Sequence, residues 1–90
     1  MAEQYIDREN LLIIREKLWQ IANQKHITLE DIVDRTGFSY SQVYRIIRGT
    51  NNISVSGLLE VCRALEVQPK EIFSFTLNIP NYLPTRKNRK

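Results

Sequence analysis

The sequence predicts an all-α domain of five helices that ends in a short C-terminal strand or extended arm. Three observations predict it. Apolar residues recur at three- and four-residue steps from Leu11 to Phe73. Asp7, Thr28, Ser39 and Ser54 each stand ahead of one of the first four apolar runs, and Pro69 opens the fifth. Only after Phe73 does the spacing change to strict alternation, the period of a half-buried strand.

The first helix is capped by Asp7 and runs to about Gln24 or Lys25, with Leu11, Ile14, Leu18, Ile21 and Ala22 on its core side. Leu12 and Trp19 lie beside that stripe, so Trp19 is expected at the edge of the core, its indole N–H near a polar partner. Thr28 and Asp31 have the spacing of a capping box, which starts a second helix at Leu29; Leu29, Ile32 and Val33 form its apolar face. Gly37 ends it, because glycine tolerates the left-handed conformation common at helix ends. Ser39 and Gln42 repeat the cap spacing for a third helix that runs to Gly49, with Val43, Ile46 and Ile47 turned inward. Two helices this short cannot stand alone and must dock on something larger.

The polar loop TNNIS follows, and Ser54 caps a fourth helix through Glu66 whose buried face is Val55, Leu58, Leu59, Cys62 and Leu65. Pro69 begins a short fifth helix with Ile72 and Phe73 inward. Phe73, Phe75, Leu77 and Ile79 then alternate with Ser74, Thr76 and Asn78. A lone strand has unpaired backbone groups, which a second copy of the same strand would satisfy in a homodimer; otherwise the segment is an arm lying on its own domain. The division expected is a flexible lead at 1–6, a helical domain at 7–74, the strand at 75–80 and a basic tail at 81–90.

Ninety residues with 42% hydrophobic content make one small domain. With no long apolar run and no basic-then-apolar start, the expected setting is soluble and cytoplasmic. The single Cys62 and single His26 exclude an intramolecular disulfide and a Cys/His metal cluster, and Cys62, inside an apolar stripe, reads as core. No metal or other cofactor is expected. Arg86, Lys87, Arg89 and Lys90 carry four positive charges, so residues 1–84 hold nine basic groups against ten acidic ones. The informative feature is local: from Arg35 to Leu59 there is no Asp or Glu, while Arg35, Arg45 and Arg48 are present with Asn51, Asn52, hydroxyls and two tyrosines. That window faces a polyanion without local repulsion.

The segments ITLEDIVDRTGFSYSQVYRIIRG, TNNIS and LLEVCRALEVQPKEIF, in this order, resemble the phage-repressor/Cro (Xre-like) helix-turn-helix family of bacterial and phage transcriptional regulators. The resemblance covers about Leu11 to Phe73 and implies a five-helix lambda-repressor-like domain. It further implies a regulator, expected to be a repressor, that binds a palindromic duplex operator as a homodimer, bacterial or phage-encoded and nucleoid-associated when bound. The recognition helix, residues 39–48, would lie in the major groove.

By position in the family pattern, Tyr40, Ser41 and Arg45 would read bases, with Tyr44 as a further candidate. Arg45 has the fork that pairs with guanine O6 and N7. Phosphate contacts would come from Gln42, Arg48, Thr50, Asn51, Asn52 and Ser54, the last also offering the N-terminus of the fourth helix. Phe75, Leu77 and Ile79 would form the dimer contact. The chain departs from the pattern at Leu29, where a phosphate-binding glutamine is usual, and at Val33, where alanine is usual; Leu29 is available to pack internally instead.

The alternative class is an antitoxin-like or adaptor protein whose C-terminal segment engages another protein. An enzyme is not expected: there is no Gly-rich phosphate loop and no nucleophile with a base, and Glu30, Asp31 and Asp34 lie along an exposed helix face. The aromatic residues do not form a sheet platform for single-stranded RNA.

Overall fold

A computed structural model describes residues 5–88 of the chain. Its five α-helices are α1 (Arg8–Lys25), α2 (Leu29–Thr36), α3 (Tyr40–Arg48), α4 (Val55–Ala64) and α5 (Pro69–Ile72), and a 3-10 turn follows at Arg86–Asn88. Each predicted start is built as its chemistry requires. Asp7 accepts from the Asn10 N–H at 3.2 Å. Thr28 and Asp31 complete a reciprocal capping box, the Asp31 carboxylate accepting from the Thr28 N–H at 2.9 Å and Thr28 Oγ1 accepting from the Asp31 N–H at 3.1 Å. Hydrogen bonding from Thr28, first of all from its backbone N–H, holds the Asp31 carboxyl below the usual carboxylate range. Ser39 and Ser54 accept from the N–H groups of Gln42 and Gly57 at 3.1 and 3.0 Å.

The core is the convergence of these helices on Leu18, Ile32, Val43, Ile47, Val61, Leu65 and Ile72, each at most 1% exposed. Helix α3 packs against α1, α2 and α4, so the second short helix of the pair is held from three sides. Leu29 and Val33 pack against the core, and Cys62 is buried within it, where desolvation pushes its thiol pKa up. Between α2 and α3, Gly37 adopts φ +79°, the left-handed turn expected of it, and Phe38 tucks partly beneath.

Two helix ends use the same conformation without glycine. His26 (φ 58°) ends α1 and Glu66 (φ 57°) follows α4, with the Ile27 N–H donating to Ala22 O and the Val67 N–H to Cys62 O. For this reason α4 stops at Ala64 rather than Glu66. Its buried face is also rotated from the expected one: Val55 is 71% exposed, Leu59 is half-buried and Val61 takes the core position. In α5, Ile72 turns inward as expected but Phe73 does not.

The largest correction concerns the strand. No strand forms among the described residues, and 74–85 run without regular structure. Alternation alone supplies no ladder partner, and the apolar side divides: Phe75 packs on the core beside Phe73, with ring centroids 6.2 Å apart, while Leu77 and Ile79 are 58% and 70% exposed. The chain past Thr76 is an arm. It accounts for a radius of gyration of 16.4 Å, against about 12 Å for a compact chain of this length. Of the lead, residues 1–4 lie outside the described residues, as do residues 89–90 of the basic tail. No described helix is long and apolar enough to cross a membrane.

Candidate nucleic-acid interface

Helix α3 has two unlike faces. Val43, Ile46 and Ile47 are buried, and Tyr40, Ser41, Gln42, Tyr44, Arg45 and Arg48 are exposed. The exposed set combines two guanidinium groups, two phenols, a hydroxyl and an amide on one helix surface. Tyr40 and Tyr44 are 48% and 47% exposed.

The loop after α3 continues this face. Thr50, Asn51, Asn52 and Ser54 are all exposed. Asn52 is partly committed to the loop itself, its Oδ1 accepting from the Ile53 N–H at 3.1 Å and its Nδ2 making a long 3.5 Å bond to Tyr5 O. Ser54 caps α4, which leaves its hydroxyl hydrogen available to an external acceptor. Helices α1, α2 and α5 carry acidic residues in the first turn, whereas α3 and α4 carry none. The two helix N-termini on this side thus keep their positive dipole ends unneutralised, the electrostatic condition for an anion to approach.

Behind the exposed face stands a group that periodicity did not single out. Arg15 of α1 is 6% exposed, and its guanidinium donates to Ile46 O at 3.2 Å, to Arg45 O at 3.4 Å and to Asn51 O. Arg45 and Ile46 supply two of the last four α3 carbonyls, which have no partner within the helix. Arg15 therefore caps α3 from outside and ties it to the loop. Burial lowers its pKa from the ordinary value, and the three carbonyls compensate the buried cation. Gly49 permits the close turn: a Cβ there would lie 2.6 Å from Arg45 O. The signal in the sequence was a charged residue four after Leu11 and three before Leu18, on the core stripe itself.

Arg48 is also more constrained than its exposure implies. Its guanidinium carbon sits 4.6 Å from the centroid of the Trp19 ring, so the tryptophan at the edge of the core is a platform for a cation on the exposed face.

Arg35, by contrast, does not join this surface. It donates to Ala64 O at 2.7 Å and approaches Glu66 at 3.5 Å, while Lys25 donates to Leu65 O and Glu66 O at 2.9 and 2.8 Å. These two cations close the C-terminal end of α4. The acid-free window therefore divides into Arg45 and Arg48 on the face and Arg35 in the scaffold.

The three dimer candidates are separated from the face. Phe75 and Leu77 line an apolar groove of about 410 Å³ with Leu11, Ile14 and Phe73, and Ile79 extends beyond it. Among the described residues, no group of three or more His, Cys, Asp or Glu side chains could hold a metal ion.

Comparison with known proteins bears on the fold and on the helix pair together. Neither the curated proteins nor the solved structures include a match to the chain. The family profile described as the Cro/C1-type HTH DNA-binding domain matches residues 17–77, which span the helix-turn-helix, the loop and α4 and α5. With about two thirds of its length matched, and with a buried and an exposed face on α3 arranged as described, the chain belongs to the Cro/C1-type helix-turn-helix DNA-binding domain family.

Proposed function

We propose that the protein is a sequence-specific transcriptional repressor that binds a palindromic duplex operator as a homodimer, with residues 7–74 as the DNA-binding unit. The observation that carries the reading is the exposed face of α3. It presents Tyr40, Ser41, Tyr44 and Arg45 on a helix whose other side is buried, in a stretch free of acidic residues. Helix α3 enters the major groove, and Arg45 pairs with a guanine edge while Tyr40, Ser41 and Tyr44 contact neighbouring bases. Gln42, Arg48, Thr50, Asn51, Asn52 and Ser54 line the flanking phosphates, supported by the free dipole end of α4. The dimer contact is the apolar arm at Phe75, Leu77 and Ile79, without the paired strand the alternation suggested.

Selecting duplexes from a random pool tests this. A short enriched motif in two inverted half-sites is the expected result, and a pool with no enrichment contradicts it. The exposed Leu77, Ile79, Tyr82 and Leu83 also favour a second reading, in which the arm engages a different protein as in an antitoxin or adaptor. A monomer at micromolar concentration would favour that reading.

A further inference from the structure

We propose that Arg15 is a positioning residue for DNA recognition, fixing the end of α3 and the loop that follows as one rigid surface. The inference rests on the DNA-binding reading above and adds a residue that touches no DNA to its machinery. Arg15 lies two residues ahead of the segment that matches the family profile.

The geometry is specific. A single guanidinium bridges Arg45 O and Ile46 O, inside the recognition helix, to Asn51 O in the middle of the loop. Arg45 is the principal base reader of the proposed function and Asn51 one of its phosphate contacts, so one side chain sets the distance between the two kinds of contact. The cation also sits at the negative end of the α3 dipole, where a positive charge is favourable. Arg48 on the last turn is held independently by Trp19, one helical turn from Arg15 on α1. The face of α1 containing Arg15 and Trp19 thus supports the backbone and one side chain of the DNA face.

Without the fork, two α3 carbonyls and a loop carbonyl must turn to water, and the loop loses its tie to the helix. Base recognition depends on placement within about half an ångström, whereas non-specific attraction to phosphate depends mainly on charge. Loss of Arg15 should therefore reduce discrimination more than attraction. Lysine keeps the charge but cannot present a planar fork to three acceptors, so it should restore little.

The test uses the full chain as wild type, Arg15→Met and Arg15→Lys, all well below their melting midpoints and with helicity checked by circular dichroism. Affinities are measured for the duplex the wild type selects and for an unrelated duplex of equal length. The expected result is a tenfold or greater loss on the selected duplex with less than a twofold loss on the unrelated one, for both variants. 15N relaxation without DNA should show Gly49 to Ile53 moving from rigid order parameters of ~0.85 toward ~0.6.

A selected-to-unrelated ratio within twofold of wild type, or an equal loss on both duplexes, overturns the proposal. So does an unchanged loop. A wild type with no preference among duplexes overturns the DNA reading instead, and the relaxation result still reports on the clamp by itself. If Arg15→Met does not fold, Arg15→Lys decides by the same criteria.

Discussion

Arg45 and Arg48 are three residues apart on the same helix, yet their surroundings differ. Arg45 is exposed, and among the described residues no hydrogen-bond or ion-pair partner competes for its five side-chain donors, which suits bidentate base contact. Arg45→Ala should cost about 1–3 kcal/mol on the selected duplex and change affinity for unrelated DNA far less. Fluorescence anisotropy with both duplexes checks this, and equal losses would assign Arg45 to phosphate. Arg48 lies over Trp19 and so is oriented before DNA arrives. Arg48→Ala should weaken binding to every duplex and make the salt dependence shallower by about one ion, and it should alter the emission of the sole tryptophan even without DNA. An unchanged salt slope would remove Arg48 from the phosphate contacts.

The helix ends decide much of how this small fold holds together. His26 adopts a left-handed backbone that costs a side-chain-bearing residue about 1–2 kcal/mol and glycine far less. After the greater entropy of glycine in the unfolded chain is subtracted, His26→Gly should stabilise the fold by about 0.5–1 kcal/mol and raise the melting midpoint by a few degrees. A lower midpoint would mean the imidazole makes an offsetting contribution. At the start of α2, the depressed Asp31 pKa has a pH signature. A carboxylate lowered in the folded state stabilises fully above its unfolded pKa and loses that contribution as pH falls through the folded value. The stability gap between wild type and Asp31→Asn should therefore close in acid, as followed by denaturant titration at several pH values.

These ends also mark the boundary of what was legible in the sequence. Starts were readable because Asp7, Thr28, Ser39 and Ser54 act through local hydrogen bonds at fixed spacing. The end at Gly37 was readable because glycine tolerates the left-handed turn that the structure shows there. The end of α1 at Lys25 fell where the apolar stripe gave out, as expected, whereas the end of α4 at Ala64 was not readable, because it rests on a non-glycine residue, Glu66, in a left-handed turn and on cations from α1 and α2. The exposed face of α3 followed from period alone. Arg15 beneath it did not, since its partners are backbone carbonyls about thirty residues away.

At the scale of the molecule, a helical body and an apolar arm divide the labour proposed for them. The alternation from Phe73 to Ile79 suggested a strand, but none forms among the described residues, because a ladder needs a partner strand and alternation alone supplies none. Leu77 lines the groove yet stays 58% exposed, which makes it the place to test the proposed dimer contact. Leu77→Asp should convert a dimer to a monomer in sedimentation equilibrium, and the same mass for both proteins would exclude the arm as the contact. The claim on which the rest depends is that one surface, α3 with the loop and the start of α4, meets duplex DNA. Amide chemical shifts recorded as the selected duplex is added test it most directly. The largest changes are expected from Tyr40 to Arg48 and from Thr50 to Ser54, with little change along the outer face of α2 at Glu30 and Asp34. Largest changes on that α2 face or on the arm, with α3 unmoved, would contradict it.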